Sequence, residues 1–357
     1  MNLLEAVDEE HALETLHDLG CTDGLPVVVP TPKRVERFVL ATSLDASLSL
    51  GVMGPLGGDV SVGLMAACAV MAGCTPDYMP VVLAAVQAVL DPLFDATEMQ
   101  ATTHCTAPLV IVNGPVRKHT GIACGFGALG PGHRANASIG RALRLTMLNA
   151  GGVKPGTSDM ALLGHPGKFT YCFGEDEESS PFDPLHVQRG FAREQSVVTV
   201  IGAEAPHSVY SIVDGDDEDG PDLLLRQLGR CLANVGSNNA NFRGGQAVVV
   251  INPDHTRVLS NAGYTAASIR HALHGYATNP LSLLREINRA VPPSKDSTDP
   301  PIRAFRSPED ILVVHAGGGG LYDMVMPSWA AGPHSNRAVS KPVDVDQACA
   351  VPWVTSR

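Results

Sequence analysis

Gly164-His165-Pro166-Gly167-Lys168 lies on a turn, and Cys172, Glu175, Glu177 and Glu178 follow within a few residues. The stretch supplies an imidazole, an ammonium, a thiol and carboxylates, side-chain types that serve as acid, base, cation and nucleophile. On an extended chain Lys168, Thr170 and Cys172 share one face. The plainer reading is a polar surface hairpin held by salt bridges, preferred for Asp176 and one of the glutamates. His165, Lys168, Cys172 and Glu175 are therefore candidate catalytic residues, with Lys168 placed to bind an anionic group.

His104-Cys105 precedes the apolar run Leu109–Val112. A thiol needs a nearby base or cation to ionise, and adjacent residues on a strand face opposite ways. Cys105 thus reads as a buried, inert thiol, and His104 as the catalytic candidate. Asn113 closes the run as a ligand-binding candidate. Gly125-Phe126-Gly127-Ala128-Leu129-Gly130 matches G-x-G-x-x-G, but no strand precedes it directly and Pro131-Gly132 follows, which argues against a dinucleotide fingerprint. The loop either binds an anion at the helix that follows, with Gly130, His133 and Arg134 contributing, or needs glycine only for its backbone angles. Gly317 to Gly320 poses the same choice: a ligand's carboxylate or phosphate at Gly318 and Gly319, or a close backbone crossing. His207, just after an apolar strand, is a weaker ligand-binding candidate. The histidines show no metal-binding spacing, and neither a nucleophile elbow nor a Walker sequence is present. No metal is expected, and the sequence names no cofactor.

The chain has 357 residues and a formal net charge of -12. That length suits a large core or two domains, and the acidic balance argues against nucleic acid or anionic membrane as partners. No secretory leader is legible, and the longest apolar run, Val60 to Cys74, is too short to span a bilayer. The eight cysteines form no C-x-x-C pair and read as reduced thiols of a cytoplasmic protein.

The elements that would position these residues follow from local signals. Thr31-Pro32 reads as a helix cap and first turn. Helices are expected over 61–72, 79–90 and 135–148, and buried strands at 109–112, 197–201 and 311–314. Leu109-Val110-Ile111-Val112-Asn113 is echoed by Val248-Val249-Val250-Ile251-Asn252, and Ala137-Ser138-Ile139 by Ala267-Ser268-Ile269. A third echo pairs Gly167-Lys168-Phe169-Thr170 with Gly319-Gly320-Leu321-Tyr322. These echoes predict an α/β protein of two related halves with mixed sheets, residues 1–195 and 196–357, related by a pseudo-two-fold. A Pro-rich excursion is expected near 292–308. Ligand sites favour crevices between such halves, so His104, Asn113, Arg134, His165, Lys168 and Gly318 are expected around one cavity.

Asp23-Gly24-Leu25-Pro26-Val27-Val28, Val70-Met71-Ala72-Gly73-Cys74, Gln100-Ala101-Thr102-Thr103-His104, Asn113-Gly114-Pro115 and Gly164-His165-Pro166-Gly167-Lys168 resemble a bacterial family over most of the chain. Its members are encoded beside small proteins with a U-G-S-C or C-G-S-C motif, some of them selenoproteins. The resemblance implies thiol- or selenol-dependent chemistry on a small molecule, shared with such a partner. This chain has no C-G-S-C of its own. It carries Gly319-Gly320-Leu321-Tyr322 where the family has a Gly-Lys-His-Ser-like sequence, and Cys105 where a proline is expected. The expectation is an enzyme of oxidoreductase or lyase rather than hydrolase type, acting on a small anionic or polar metabolite in specialised metabolism, and forming a homo-oligomer. The alternative is a non-catalytic ligand-binding or partner subunit of a two-component thiol or selenol enzyme.

Overall fold

The computed structural model describes residues 3–213, 217–288 and 299–344. Two four-stranded mixed sheets pack face to face, with helices on both outer sides. In chain order the strands are β1 (Ser49–Met53), β2 (Gly58–Ser61), β3 (Ala107–Asn113), β4 (Cys172–Gly174), β5 (Val197–Ala203) and β6 (His207–Tyr210). They continue with β7 (Ala247–Ile251), β8 (Thr278–Pro280), β9 (Pro301–Arg303), β10 (Ile311–His315), β11 (Tyr322–Met326) and β12 (Val339–Pro342). The first sheet runs β12-β5-β3-β4 and the second β10-β7-β11-β6, while β1-β2 and β8-β9 form small hairpins.

Side-chain alternation along the strands explains the layering. Val110 and Val112 of β3 join a core with the helices Val62–Met71, Met79–Leu90 and Arg134–Asn149. Leu109 and Ile111 point the other way and meet Val248, Val250, Leu312 and Val314 of the second sheet. Val249, Ile251, Ile311 and Val313 pack on the outer helices Gly220–Leu232 and Ala266–Tyr276. Strands buried on both faces read as continuous apolar runs, which is why β3, β7 and β10 are visible in the sequence. Each such side chain contributes roughly 1.5–3 kcal/mol of burial free energy.

The sheets share one plan. Each central strand (β3, β7) has a parallel neighbour (β4, β10) on one side and an antiparallel neighbour (β5, β11) on the other. Two helices follow each central strand, Val116–Thr120 and Arg134–Asn149 in one case, Pro253–Asn261 and Ala266–Tyr276 in the other. The outer strands are exchanged. After β5 the chain crosses into the second sheet, where β6 pairs with β11, and after β11 it returns to the first, where β12 pairs with β5. A bridge between Ala203 and Ser328 marks the crossing. Sheet membership therefore changes between β5 and β6, and again between β11 and β12.

Several local expectations need correction. Residues 166–168 form a 3-10 turn and the strand begins only at Cys172, so Lys168, Thr170 and Cys172 do not form one strand face. Pro166 starts that turn, and the His165 side chain caps it by accepting from the Gly167 N–H. The third echo joins non-equivalent strands, because Gly167–Thr170 leads into parallel β4 while Gly319–Tyr322 leads into antiparallel β11. Residues 292–298 of the Pro-rich excursion lie outside the described residues; the remainder carries β9. Among the described residues no single helix is long and apolar enough to cross a membrane. One bent pair, Pro76–Leu90 with Pro92–Ala101, passes by length and composition, but most of its apolar side chains lie in the first core.

Candidate functional site

The expected site residues separate to opposite ends of the first sheet. His104, His165 and Lys168 gather before β3 and β4 begin. Asn113 and Glu175 stand where those strands end, about 20 Å away along a seven-residue strand. The single cavity expected for them does not form.

At the first end, His104 ties two distant segments together. Its Nε2 lies 2.9 Å from Glu204 Oε1, just past β5, and its Nδ1 lies 3.0 Å from the Asn238 amide nitrogen, at the start of helix Asn238–Phe242. With the Asn238 amide donating to Nδ1, the Nε2–H donates to Glu204. Both ring nitrogens are thus engaged, which makes His104 a positioning residue for Glu204. Tyr171 donates its hydroxyl to the Glu204 carbonyl at 2.9 Å and meets the His165 ring edge-on.

Lys168 does not present a free ammonium. Its Nζ is 2.7 Å from both oxygens of Asp159, and Arg144, 3.5 Å from the same carboxylate, also donates to Gln100 Oε1 and to the Lys168 carbonyl. All three charged groups are largely buried. Two cations share one carboxylate, so the cluster keeps a surplus positive charge. Burial lowers the Lys168 affinity for its proton, opposed by the hydrogen bond to Asp159, and the Cys105 thiol is close enough to act on it electrostatically.

Cys105 is less enclosed than the buried position expected for it. It is half-buried, and its Sγ accepts the Gly164 N–H at 3.1 Å, beside the Lys168 ammonium. Cys172 is instead wholly buried in the first core near Cys74, and burial pushes its thiol up, so the nucleophile expected there is a packing residue. Burial likewise pushes Cys68 and Cys74 up to about 12 and raises Cys124 and Cys231.

His165 completes this end. Its Nδ1 accepts the Gly167 N–H at 3.1 Å, so the neutral ring carries its proton on Nε2, which is buried without a hydrogen-bond partner. Burial holds the ring below the usual imidazole range, helped by the charges of Lys168 and Arg144 and opposed by the Ala203 carbonyl and Glu204. His165 is an uncharged N–H donor one residue from the Gly164 N–H that meets the Cys105 sulfur.

The other end is a tightly bonded node. Glu175 is wholly buried and accepts from the Asn113 amide and the Leu185 N–H, both at 2.7 Å, and from the His315 N–H at 3.3 Å. Burial pushes Glu175 up to about 7 against those hydrogen bonds. Arg117 pairs with Glu177 and Glu178; burial opposes ionisation of Glu178, but Arg117 and Lys118 hold it at about 2. His315 is driven down to about 4 by burial. The node ties the sheets together through Asp176 N–H to the His315 carbonyl at 2.7 Å and Gly317 N–H to the Cys124 carbonyl at 2.8 Å.

The glycine loops do meet, through backbone proximity. A Cβ on Gly318 would stand 2.0 Å from the Phe126 ring, and one on Gly319 2.5 Å from Asp254. Gly130 donates to the Gly127 carbonyl in an exposed turn. Arg134 turns away and clasps the Gly73 carbonyl through Nε and a terminal nitrogen at 3.0 and 2.9 Å. His207 is exposed on edge strand β6.

Sequence reasoning missed Asp159, Arg144, Glu204 and Asn238, whose partners lie from nine to more than a hundred positions away. Among the described residues no group of three or more His, Cys, Asp or Glu side chains is arranged to hold a metal ion. An apolar cavity of about 800 Å³ lies under the helix Glu9–Asp18, lined by Leu16, Val35, Val39, Leu64 and Met71, apart from both polar ends. No protein-family model matches the chain, and neither a curated protein nor a solved structure matches it.

Proposed function

We propose that the chain is an enzyme acting on a small anionic or polar metabolite through thiol and acid/base chemistry, at the junction of two duplicated halves. The shared sheet plan with exchanged outer strands supports the duplication. One observation carries the catalytic reading: the half-buried Cys105 Sγ accepts the Gly164 N–H of the turn that carries His165 and Lys168. Cys105 is the nucleophile. Lys168 and Arg144 supply the surplus positive charge that favours an anionic substrate. His165 donates a hydrogen bond to a substrate oxygen, and His104 holds Glu204 as the acid/base group. Oxidoreductase and lyase chemistry both suit this set. The loop 160–165 leads into this cluster through Gly164.

A partner subunit is the second reading, favoured by that same loop. Leu162 and Leu163 are 83% and 93% exposed, and the Leu162 N–H is fixed to the Thr103 carbonyl next to His104. An apolar loop beside a thiol suits docking of a small thiol- or selenol-bearing protein.

Incubation of the purified chain with a low-molecular-weight metabolite extract, followed by intact-mass and peptide mass spectrometry, tests the catalytic reading. An adduct on Cys105, absent from Cys105→Ala, is expected. Adducts confined to other cysteines contradict it.

A further inference from the structure

A second cavity, of about 250 Å³, lies between the helix Pro32–Leu40, the turn after helix Val62–Met71 and the first residue of helix Arg134–Asn149. Three guanidinium groups line it, Arg34, Arg37 and Arg134, in a chain whose net charge is -12. Their donors are only partly used. Arg34 spends one terminal nitrogen on Glu9 and the Val29 carbonyl. Arg134 uses Nε and one terminal nitrogen on the Gly73 and Cys74 carbonyls, leaving the other. Arg37 has no hydrogen bond or ion pair among the described residues. The counter-charges nearby are Asp77, close to Arg134 through Cys74, and Glu9 on the outer side of Arg34.

The first turn of the helix carrying two of these arginines runs against the helix dipole, while Arg37 in the last turn runs with it. Its first turn holds Lys33 and Arg34 and no acidic residue, where the partial positive charge of a helix start favours anions. Arg34 and Arg37 are three apart, a spacing at which like charges repel. Such local conflicts mark functional positions.

We propose that this pocket binds a phosphate group, either free phosphate or a phosphomonoester. The guanidinium of Arg37 and the spare donors of Arg34 and Arg134, from two helices, match the several oxygens and double charge of phosphate better than the two oxygens of a carboxylate. Val28, Phe38, Val70 and Pro76 form an apolar wall that admits the organic part of an ester. The Thr75 side chain makes no capping bond to the turn it starts, and lines the same space. The site is independent of the Cys105 cluster.

Phosphorus NMR line broadening and calorimetry test it, with inorganic phosphate and phenyl phosphate as probes and acetate as the carboxylate control. Saturable phosphate binding is expected, weakened about tenfold or more in Arg37→Gln, in line with loss of a charged hydrogen bond. Lys168→Met should bind as the parent does. Tighter binding of phenyl phosphate than of phosphate would assign the ester as the ligand, and equal binding would assign the free anion. Absence of saturable binding, equal binding of acetate, unchanged binding in Arg37→Gln, or loss only in Lys168→Met would overturn the proposal. Arg37 is exposed, so an unchanged melting curve will show that its variant folds.

Discussion

At the scale of single residues, two buried carboxylates meet different neighbours. Asp159 faces two cations and serves as their counter-charge, whereas Glu175 faces backbone N–H groups and an amide, and burial dominates. The consequence for Glu175 is a sign that can be checked. Its folded-state value, about 7, lies above its ordinary 4.5, so the folded protein holds the proton more tightly. Stability is full below about pH 4.5 and falls as pH rises towards and through 7, by on the order of 3 kcal/mol. Melting curves from pH 5 to pH 8 should show this decline in the parent and a flatter profile in Glu175→Gln. Parallel profiles would mean that Glu175 is ionised throughout. Lys168 carries a different cost. It is paired within a buried network, so Lys168→Met should lose about 3 kcal/mol in chemical denaturation. A loss under 1 kcal/mol would show that Arg144 alone satisfies Asp159.

At the scale of elements, the helix Arg134–Asn149 reaches the polar end through one close approach. A Cβ on Gly140 would come within 2.5 Å of Thr170 Oγ1 and 2.7 Å of the Tyr171 N–H. Gly140→Ala should therefore push the helix off the segment that holds Lys168, at a cost of about 2 kcal/mol, readable as a lower melting temperature. An unchanged melting temperature would show that the contact relaxes freely. The helix itself was legible from its apolar spacing, as were the strands at 109–112 and 311–314 and the Thr31-Pro32 start, because each rests on local pattern and capping. The glycine's role was not, because it depends on a chain segment thirty positions away. The 166–168 turn was misread for a local reason: His165 caps through its own side chain, so a residue picked for chemistry also ends the extended chain. Glu204 and Asn238 could be found only through tertiary contact, since nothing near them in sequence marks a partner for His104.

For the whole molecule, the exchange of outer strands makes the two sheets depend on one another. β12 covers the edge of β5, and Val339 sits in the first core although it follows the whole second sheet in sequence. A chain ended at Ser335 would expose that edge together with Val198 and Val200. It should give aggregated protein or a cooperative transition much below the parent's, as seen by light scattering and calorimetry. A monodisperse truncation with the parent's melting temperature would contradict the mutual dependence. The same crossing carries Glu204 and Asn238 to His104, so architecture and chemistry meet at the end of the sheets where the chain passes between them.

The most direct measurement of the central claim is the alkylation rate of each cysteine by iodoacetamide in the folded protein, resolved by peptide mass spectrometry. Cys105 should react fastest, ahead of Cys124 and Cys231 and far ahead of the buried Cys68, Cys74 and Cys172. Its rate should drop about tenfold in Lys168→Met, a change comparable to losing one close charge. A Cys105 that reacts no faster than Cys124 or Cys231, or whose rate is untouched by Lys168→Met, would contradict its role as the nucleophile.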